Sequence, residues 1–225
     1  MIRAILFDLD GTLINTTELI LRCFEHSWEQ VCGRTQPKAA VLSTFGMPLA
    51  DAMRRLAERP SAISEGGAEE EYGEILISRL IDEYRSFNRG NHDRMACRFD
   101  QVGETLEELR SRPYQLGVVT SKGRELAGHG LRLCSLDGLI DEAVFLEDTV
   151  RHKPHPDPIF AAMERMKVSA RETVYVGDSP NDMAAGRAAG VTTVAALWGP
   201  IPRADLELEG PDHLAESPSD LLRLF

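Results

Sequence analysis

Asp8 and Asp10 stand two residues apart in Phe7-Asp8-Leu9-Asp10-Gly11-Thr12-Leu13, directly after the apolar run Ala4-Ile5-Leu6-Phe7. Such a run reads as a buried strand, and carboxylates at its end are costly unless something offsets their charge. A divalent metal or a catalytic role would do so. A strand alternates its faces, so both aspartates reach one site only if the chain starts to turn, and Gly11 permits the turn. A plain strand followed by an Asp-Gly turn is the competing reading. Three later segments repeat the pattern. Leu116-Gly117-Val118-Val119 runs into Thr120-Ser121-Lys122, the loop His152-Lys153-Pro154 precedes a helix near Pro158, and Thr173-Val174-Tyr175-Val176-Gly177 runs into Asp178-Ser179-Pro180-Asn181-Asp182. In an open parallel sheet, ligands bind at the carboxyl ends of the strands. Acids, a hydroxyl and an ammonium gathered there suit phosphoryl transfer, with carboxylates on a metal and donors on phosphoryl oxygens.

In these segments the chain resembles the haloacid dehalogenase superfamily. Its four motifs occur in order as Asp8-Leu9-Asp10-Gly11-Thr12, Val119-Thr120, Lys153-Pro154 and Gly177-Asp178-Ser179-Pro180-Asn181-Asp182. The resemblance extends from residue 8 to 182 and implies an α/β fold, a Rossmann-like parallel sheet core with an inserted all-helical cap domain.

The chain has 225 residues, enough for one large core or a core with a smaller insert. Thirty-six acids against 25 Lys and Arg give a net charge of −11, which disfavours nucleic acid and anionic membrane as partners. A small anionic phosphate substrate would then need a metal to approach an acidic site. Cys23, Cys32, Cys97 and Cys134 show neither CxxC pairing nor metal spacing, and read as reduced, mostly buried thiols of a cytoplasmic protein. Asp8 and Asp10 interrupt the apolar stretch a signal peptide would need, and no apolar run is long enough to span a membrane.

Residues 1–15 supply strand one and a turn, 16–86 a helical cap, and 87–225 the rest of the α/β core. In 18–32 the apolar positions Leu19, Ile20, Cys23, Phe24, Trp28 and Val31 form one helix face, with Thr17 as cap and Gly33 as stop. A second helix is expected over 49–58, after a loop 65–71 a longer one over 68–88 with Tyr72, Ile75, Leu76, Leu80, Tyr84 and Phe87 on one side, and then strand–helix alternation from about residue 100. Asp157 is the expected N-cap of a helix with Pro158 at its first position, and Ser217-Pro218-Ser219-Asp220 starts a last short helix. Three helices with no strand between them favour a cap over ordinary crossovers. In the resembled family such a cap excludes water on closing.

The resemblance makes Asp8 the nucleophile that attacks phosphorus to give an aspartyl-phosphate. Asp10 then protonates the leaving oxygen and later activates water. Metal ligation without covalent chemistry is the competing role for Asp8, and an Asx turn for Asp10. Thr120 can bind a phosphoryl oxygen, with Ser121 and Lys122 as neighbours, or can simply close a strand-end turn. Lys153 offsets charge on Asp8 and on the transferring group. His152 and His155 read as loop residues. Asp8, Asp10 (through its carbonyl) and Asp178 form the implied metal set, and hard oxygen ligands point to Mg²⁺. Ser179, Pro180 and Asp182 fit a helix N-terminus at N-cap, N1 and N3, and Asp182 also supports the metal site. Retention of Asp10 disfavours carbon–halogen cleavage, and retention of both aspartates disfavours a non-catalytic binding module.

Phe7–Ile20 (FDLDGTLINTTELI) and Tyr84–Asp93 (YRSFNRGNHD) look like the inorganic pyrophosphatases of this superfamily, close relatives of its phosphoglycolate phosphatases. Asn88 and His92 are therefore the cap residues expected to bear on specificity, although a polar helix end would also contain them. Lys38, Arg54 and Arg55 could hold a second phosphate or be solvated surface charge. Phosphoglycolate phosphatase, a generic small-molecule phosphatase and a sugar phosphomutase share the core motifs and remain alternatives.

Overall fold

The computed structural model of the protein describes residues 1–58 and 69–225, the latter with side chains from residue 73 onward. Of the loop expected at 65–71, residues 65–68 lie outside the described residues and 69–71 already belong to a helix, while the side chain of Tyr72 also lies outside the described residues. Along the chain, β1 (Ala4–Phe7) and β2 (Ile14–Asn15) precede the helices α1 (Thr17–Cys32), α2 (Lys38–Leu42), α3 (Leu49–Ala57) and α4 (Glu69–Met95). Then come β3 (Cys97–Arg98), α5 (Val102–Ser111), β4 (Gln115–Val119), α6 (Arg124–Leu133), β5 (Glu142–Val144) and α7 (Asp157–Met166). The chain continues with β6 (Thr173–Gly177), α8 (Pro180–Ala189), β7 (Thr192–Ala196), α9 (Arg203–Glu207), β8 (His213–Ala215) and α10 (Leu221–Leu224). Two compact units result: residues Met1–Asn15 with Cys97–Phe225, and residues Thr16–Ala96.

The first unit is built on a six-stranded parallel sheet of order β5-β4-β1-β6-β7-β8. All four residues of β1 are buried, and β4 and β6 are nearly continuous apolar runs, as strands covered on both faces must be. One layer of the core joins Leu6, Val119, Val144 and Tyr175 of the sheet to Ile159, Ala162 and Met163 of α7 and Ala185 of α8. Gly117 lets this layer close: a Cβ there would lie 2.6 Å from Leu6 Cδ2 and 3.1 Å from Met166 Sδ. The edge strand β8 was not expected from sequence, because three residues with one buried side chain carry little pattern.

Among the described residues the second unit consists of the helices α1 to α4 and their connections. Its longest contact joins α1 to α4, which run antiparallel: Cys23 meets Asn88, Phe24 meets Tyr84 edge-on at 5.2 Å, and His26 meets Glu83 at 3.7 Å. Leu19, Cys23, Phe24, Ser27 and Trp28 are the buried face of α1, and Gly33 ends it at φ 65°. Three local expectations need correction. Thr16, not Thr17, occupies the cap position of α1. Pro156 caps α7, so Asp157 is its first residue and Pro158 its second. On α4 the buried stripe runs through Ile77 and Leu80, whereas Ile75 is 54% exposed.

The unit ends at Ala96, ten residues beyond the boundary expected at 86. The polar stretch after Phe87 reads as a helix end, yet α4 continues because Asn88 and His92 are buried and hold its last turns in packed structure. Of the cysteines, Cys23 and Cys134 are buried, Cys32 is partly so, and Cys97 is exposed. Arg54 and Arg55 are exposed, and Arg54 pairs with Glu74 at 3.0 Å and Asp51 at 3.2 Å, so it acts as surface charge.

Two glycine substitutions test this packing. Gly90 is exposed within α4 and a Cβ there would meet nothing, so Gly90→Ala should stabilise the protein by about 0.5–1 kcal/mol in urea unfolding. Gly117→Ala should destabilise it by about 1–3 kcal/mol by forcing Leu6 and Met166 apart.

Candidate active site

Phe7, the last residue of β1, pairs with Val118 of β4 on one side and Val176 of β6 on the other. The three strands therefore end at one edge, where they release Asp8, Thr120 and Asp178 side by side. Asp8 is 4% exposed, Asp178 1% and Asp182 0%. Carboxylate oxygens of these three lie within 4.8 Å of one another. Lys153, on the loop before α7, enters the cluster at 3% exposure. Its Nζ donates to Asp8 Oδ1 at 2.7 Å and to Asp182 Oδ1 at 2.6 Å, and lies 3.0 Å from the Tyr175 hydroxyl.

Asp182 opens α8 as expected, and its second oxygen turns to Lys153. As the third residue of α8 its Oδ2 accepts the Ser179 backbone N–H at 3.0 Å and the Ser179 hydroxyl at 2.6 Å. Its Oδ1 accepts from Lys153 and, at 2.9 Å, from Tyr175. With two donors on each oxygen, Asp182 serves to hold Lys153 rather than to offer a free ligand atom. Gly177 makes this possible, since a Cβ there would lie 2.4 Å from that of Asp182.

Asp178 is set by close backbone approach. Thr12 donates its hydroxyl to Asp178 Oδ1 at 2.8 Å, and the Thr12 carbonyl in turn accepts the Trp198 indole N–H at 2.8 Å. Gly11 adopts φ +91°, and a Cβ on it would stand 2.2 Å from Asp178 Oδ2. A Cβ on Gly199 would stand 2.4 Å from Asp178 Cβ. Only glycine satisfies both the turn and the carboxylate at position 11.

Burial, with Asp182 adding to it against the pull of Lys153, pushes the Asp8 carboxyl up to about 7. Burial and then the neighbouring Asp8 and Asp182 raise Asp178 well above the usual range, despite the Thr12 hydrogen bond. Burial alone would lower Lys153, but Asp182 and Asp8 outweigh it and hold the ammonium charged. Three carboxylates thus face one ammonium, and the deficit of positive charge is what a hard divalent cation would supply. Asp8 and Asp178 fit as its side-chain ligands.

Asp10 points elsewhere. Its Oδ1 accepts from Lys122 Nζ at 2.8 Å, and both side chains retain some exposure. Lys122 belongs to the Thr120 turn: its N–H donates to Thr120 Oγ1 at 3.2 Å, which leaves the Thr120 O–H as a donor at the edge. Ser121 lies between them, half-buried. Sequence reasoning treated Lys122 only as a neighbour and overlooked Tyr175 and Trp198. The Asp10 partner could have been sought among the cations of the adjoining strand end. His152 is half-buried and His155 exposed, beside Lys153 on its loop. Asn88 and His92 belong to the helical unit, where the Asn88 amide Nδ2 donates to Cys23 Sγ at 3.6 Å.

Residues 5–196 match the haloacid dehalogenase-like hydrolase family, and the chain belongs to it. Pyrophosphatase PpaX of Bacillus mycoides is 37% identical over 224 residues, which cover 100% of this chain and 97% of that one. A haloacid dehalogenase-like hydrolase from Streptococcus pneumoniae superposes with a TM-score of 0.81 at 27% identity, covering 100% of this chain and 98% of that one. A predicted phosphoglycolate phosphatase of Haemophilus somnus shares the fold with a TM-score of 0.85 at 23% identity, covering 99% and 97%. Among the described residues no helix is long and apolar enough to cross a membrane.

If Asp8 and Asp178 hold a divalent ion, millimolar Mg²⁺ should raise the melting temperature, and Gly11→Ala should remove most of that rise by displacing Asp178. An unchanged Mg²⁺ response in Gly11→Ala would count against the assigned ligands.

Proposed function

We propose that this protein hydrolyses inorganic pyrophosphate with Mg²⁺, through an aspartyl-phosphate on Asp8. The observation that carries the reaction type is the buried Asp8 held 2.7 Å from Lys153 beside Asp178. Support for the substrate comes from the full-length similarity to PpaX and from the cap segment around Asn88 and His92.

In this reading an Asp8 oxygen attacks phosphorus, the bond to the leaving oxygen breaks with its electron pair, and Asp10 supplies the proton. Asp10 then takes a proton from water, which attacks the phosphorus of the aspartyl-phosphate and releases phosphate and free Asp8. Lys153 orients Asp8 and pulls its carboxyl toward the ionised form, and the Thr120 hydroxyl and adjoining backbone hold phosphoryl oxygens. Ser121 contributes to the same turn. Asp8, Asp178 and the Asp10 carbonyl would hold the metal, which would supply positive charge against the phosphoryl oxygens. Asp182 supports the site by fixing Lys153.

The test compares kcat/KM for pyrophosphate and phosphoglycolate at equal free Mg²⁺. Pyrophosphate should be preferred, and a clear preference for phosphoglycolate would transfer the protein to that activity. Asp8→Asn should abolish turnover while the fold is kept. Lys153→Ala should lower kcat by about 10²–10³-fold, as loss of a charge-stabilising donor does. Asn88→Ala should reduce pyrophosphate turnover more than that of an aryl phosphate. Because Asn88 is buried against Cys23, a melting curve must accompany that comparison. Equal loss on both substrates would reduce Asn88 to a packing role.

A further inference from the structure

Tyr175 is a residue of β6 whose ring and hydroxyl belong to different environments. The ring lies in the apolar layer with Leu6, Ile159, Met163 and Ala185, and the whole residue is 0% exposed. Gly186 of α8 keeps this layer tight: a Cβ there would meet Thr193 Cγ2 at 2.5 Å and Tyr175 Cδ1 at 3.5 Å. The hydroxyl emerges from that layer into the acid cluster. It lies 3.0 Å from Lys153 Nζ, 2.9 Å from Asp182 Oδ1 and 3.2 Å from the Val119 carbonyl.

The donor count gives these contacts a direction. An ammonium has three N–H bonds. Two go to Asp8 and Asp182, and the third has the Tyr175 oxygen at 3.0 Å or the Val119 carbonyl at 3.4 Å. The tyrosine accepts from Lys153 and spends its own proton on Asp182 or Val119. Its oxygen therefore stands, with the Val119 carbonyl, where the ammonium's remaining N–H points. The ring's burial in the core fixes that hydroxyl against the ammonium.

We propose that Tyr175 is a positioning residue for Lys153, holding the ammonium on Asp8 through its hydroxyl. This rests on the catalytic role proposed for Lys153, and the experiment separates the two. Tyr175→Phe removes one oxygen and keeps the ring. It should lower kcat about tenfold, in keeping with loss of a hydrogen bond to a charged group, with KM changed less than about twofold. In a Lys153→Met background the same change should alter kcat by less than about twofold, because its target is gone. Equal falls in both backgrounds, or no fall in the parent enzyme, would overturn the proposal. If Lys153→Met itself costs little, it is the catalytic role of Lys153 that fails. A measurement on the unaltered protein covers the case in which a variant does not fold. In ¹⁵N-lysine-labelled protein, the Lys153 ammonium should show a nuclear Overhauser contact to Tyr175, and its absence would also overturn the proposal.

Discussion

The ammonium of Lys153 bridges Asp8 and Asp182 at 2.7 and 2.6 Å inside the protein, and the site's architecture follows from that buried pair. Taking such charges out of water costs several kcal/mol each, repaid only if geometry is good and the remaining protons and lone pairs are bonded. The surroundings supply this in detail: Ser179 on Asp182, Tyr175 on both Lys153 and Asp182, and Thr12 on Asp178. The cluster nevertheless stays short of positive charge. Its acids respond by holding protons more tightly, with Asp8 at about 7. A divalent cation beside Asp8 and Asp178 would supply the positive charge that their burial leaves wanting.

Only a parallel sheet with β1 at its centre could assemble this set from such distant parts of the chain. Lys153 is 145 residues from Asp8 and 29 from Asp182 in sequence. The strands deliver Asp8, Thr120 and Asp178 to one edge, but delivery leaves the side chains too far apart unless the backbones close in. Gly11, Gly177 and Gly199 provide that closeness, each where a Cβ would overlap Asp178 or Asp182. The apolar layer beneath the sheet has the same dependence, through Gly117 and Gly186. The glycines of the motifs are therefore spacing elements for carboxylates as much as turn formers.

This explains what was legible in the sequence. Short continuous apolar runs that end in polar or charged residues are a direct signal of buried strands, so β1, β4 and β6 could be read from the sequence. Ser179, Pro180 and Asp182 carried a helix start that the structure bears out. Partners across the sheet could not be read, because they depend on register. Tyr175 looks like any aromatic of a buried strand, and nothing local says that its hydroxyl reaches Lys153, 22 residues away. Lys122 is likewise an ordinary loop lysine until the Thr120 turn lays it against Asp10. The end of α4 was misplaced for a related reason. Asn88 and His92 are poor advertisements for a helix interior, yet both are buried there.

The two aspartates of the first motif show how a two-residue step separates two tasks. Asp8 has 6% of its side chain exposed and Asp10 21%. Their lysine partners divide in the same way, Lys153 at 1% and Lys122 at 12%. A nucleophile gains from a dry setting in which a fixed ammonium replaces mobile water. An acid that must pass its proton to a leaving oxygen and then draw one from water needs access instead. Gly11 turns the chain between these environments, at the φ that also admits Asp178. In the proposed mechanism the same turn would part the nucleophile from the acid while it brings Asp178 beside Asp8, which ties the geometry of the site to a residue with no side chain.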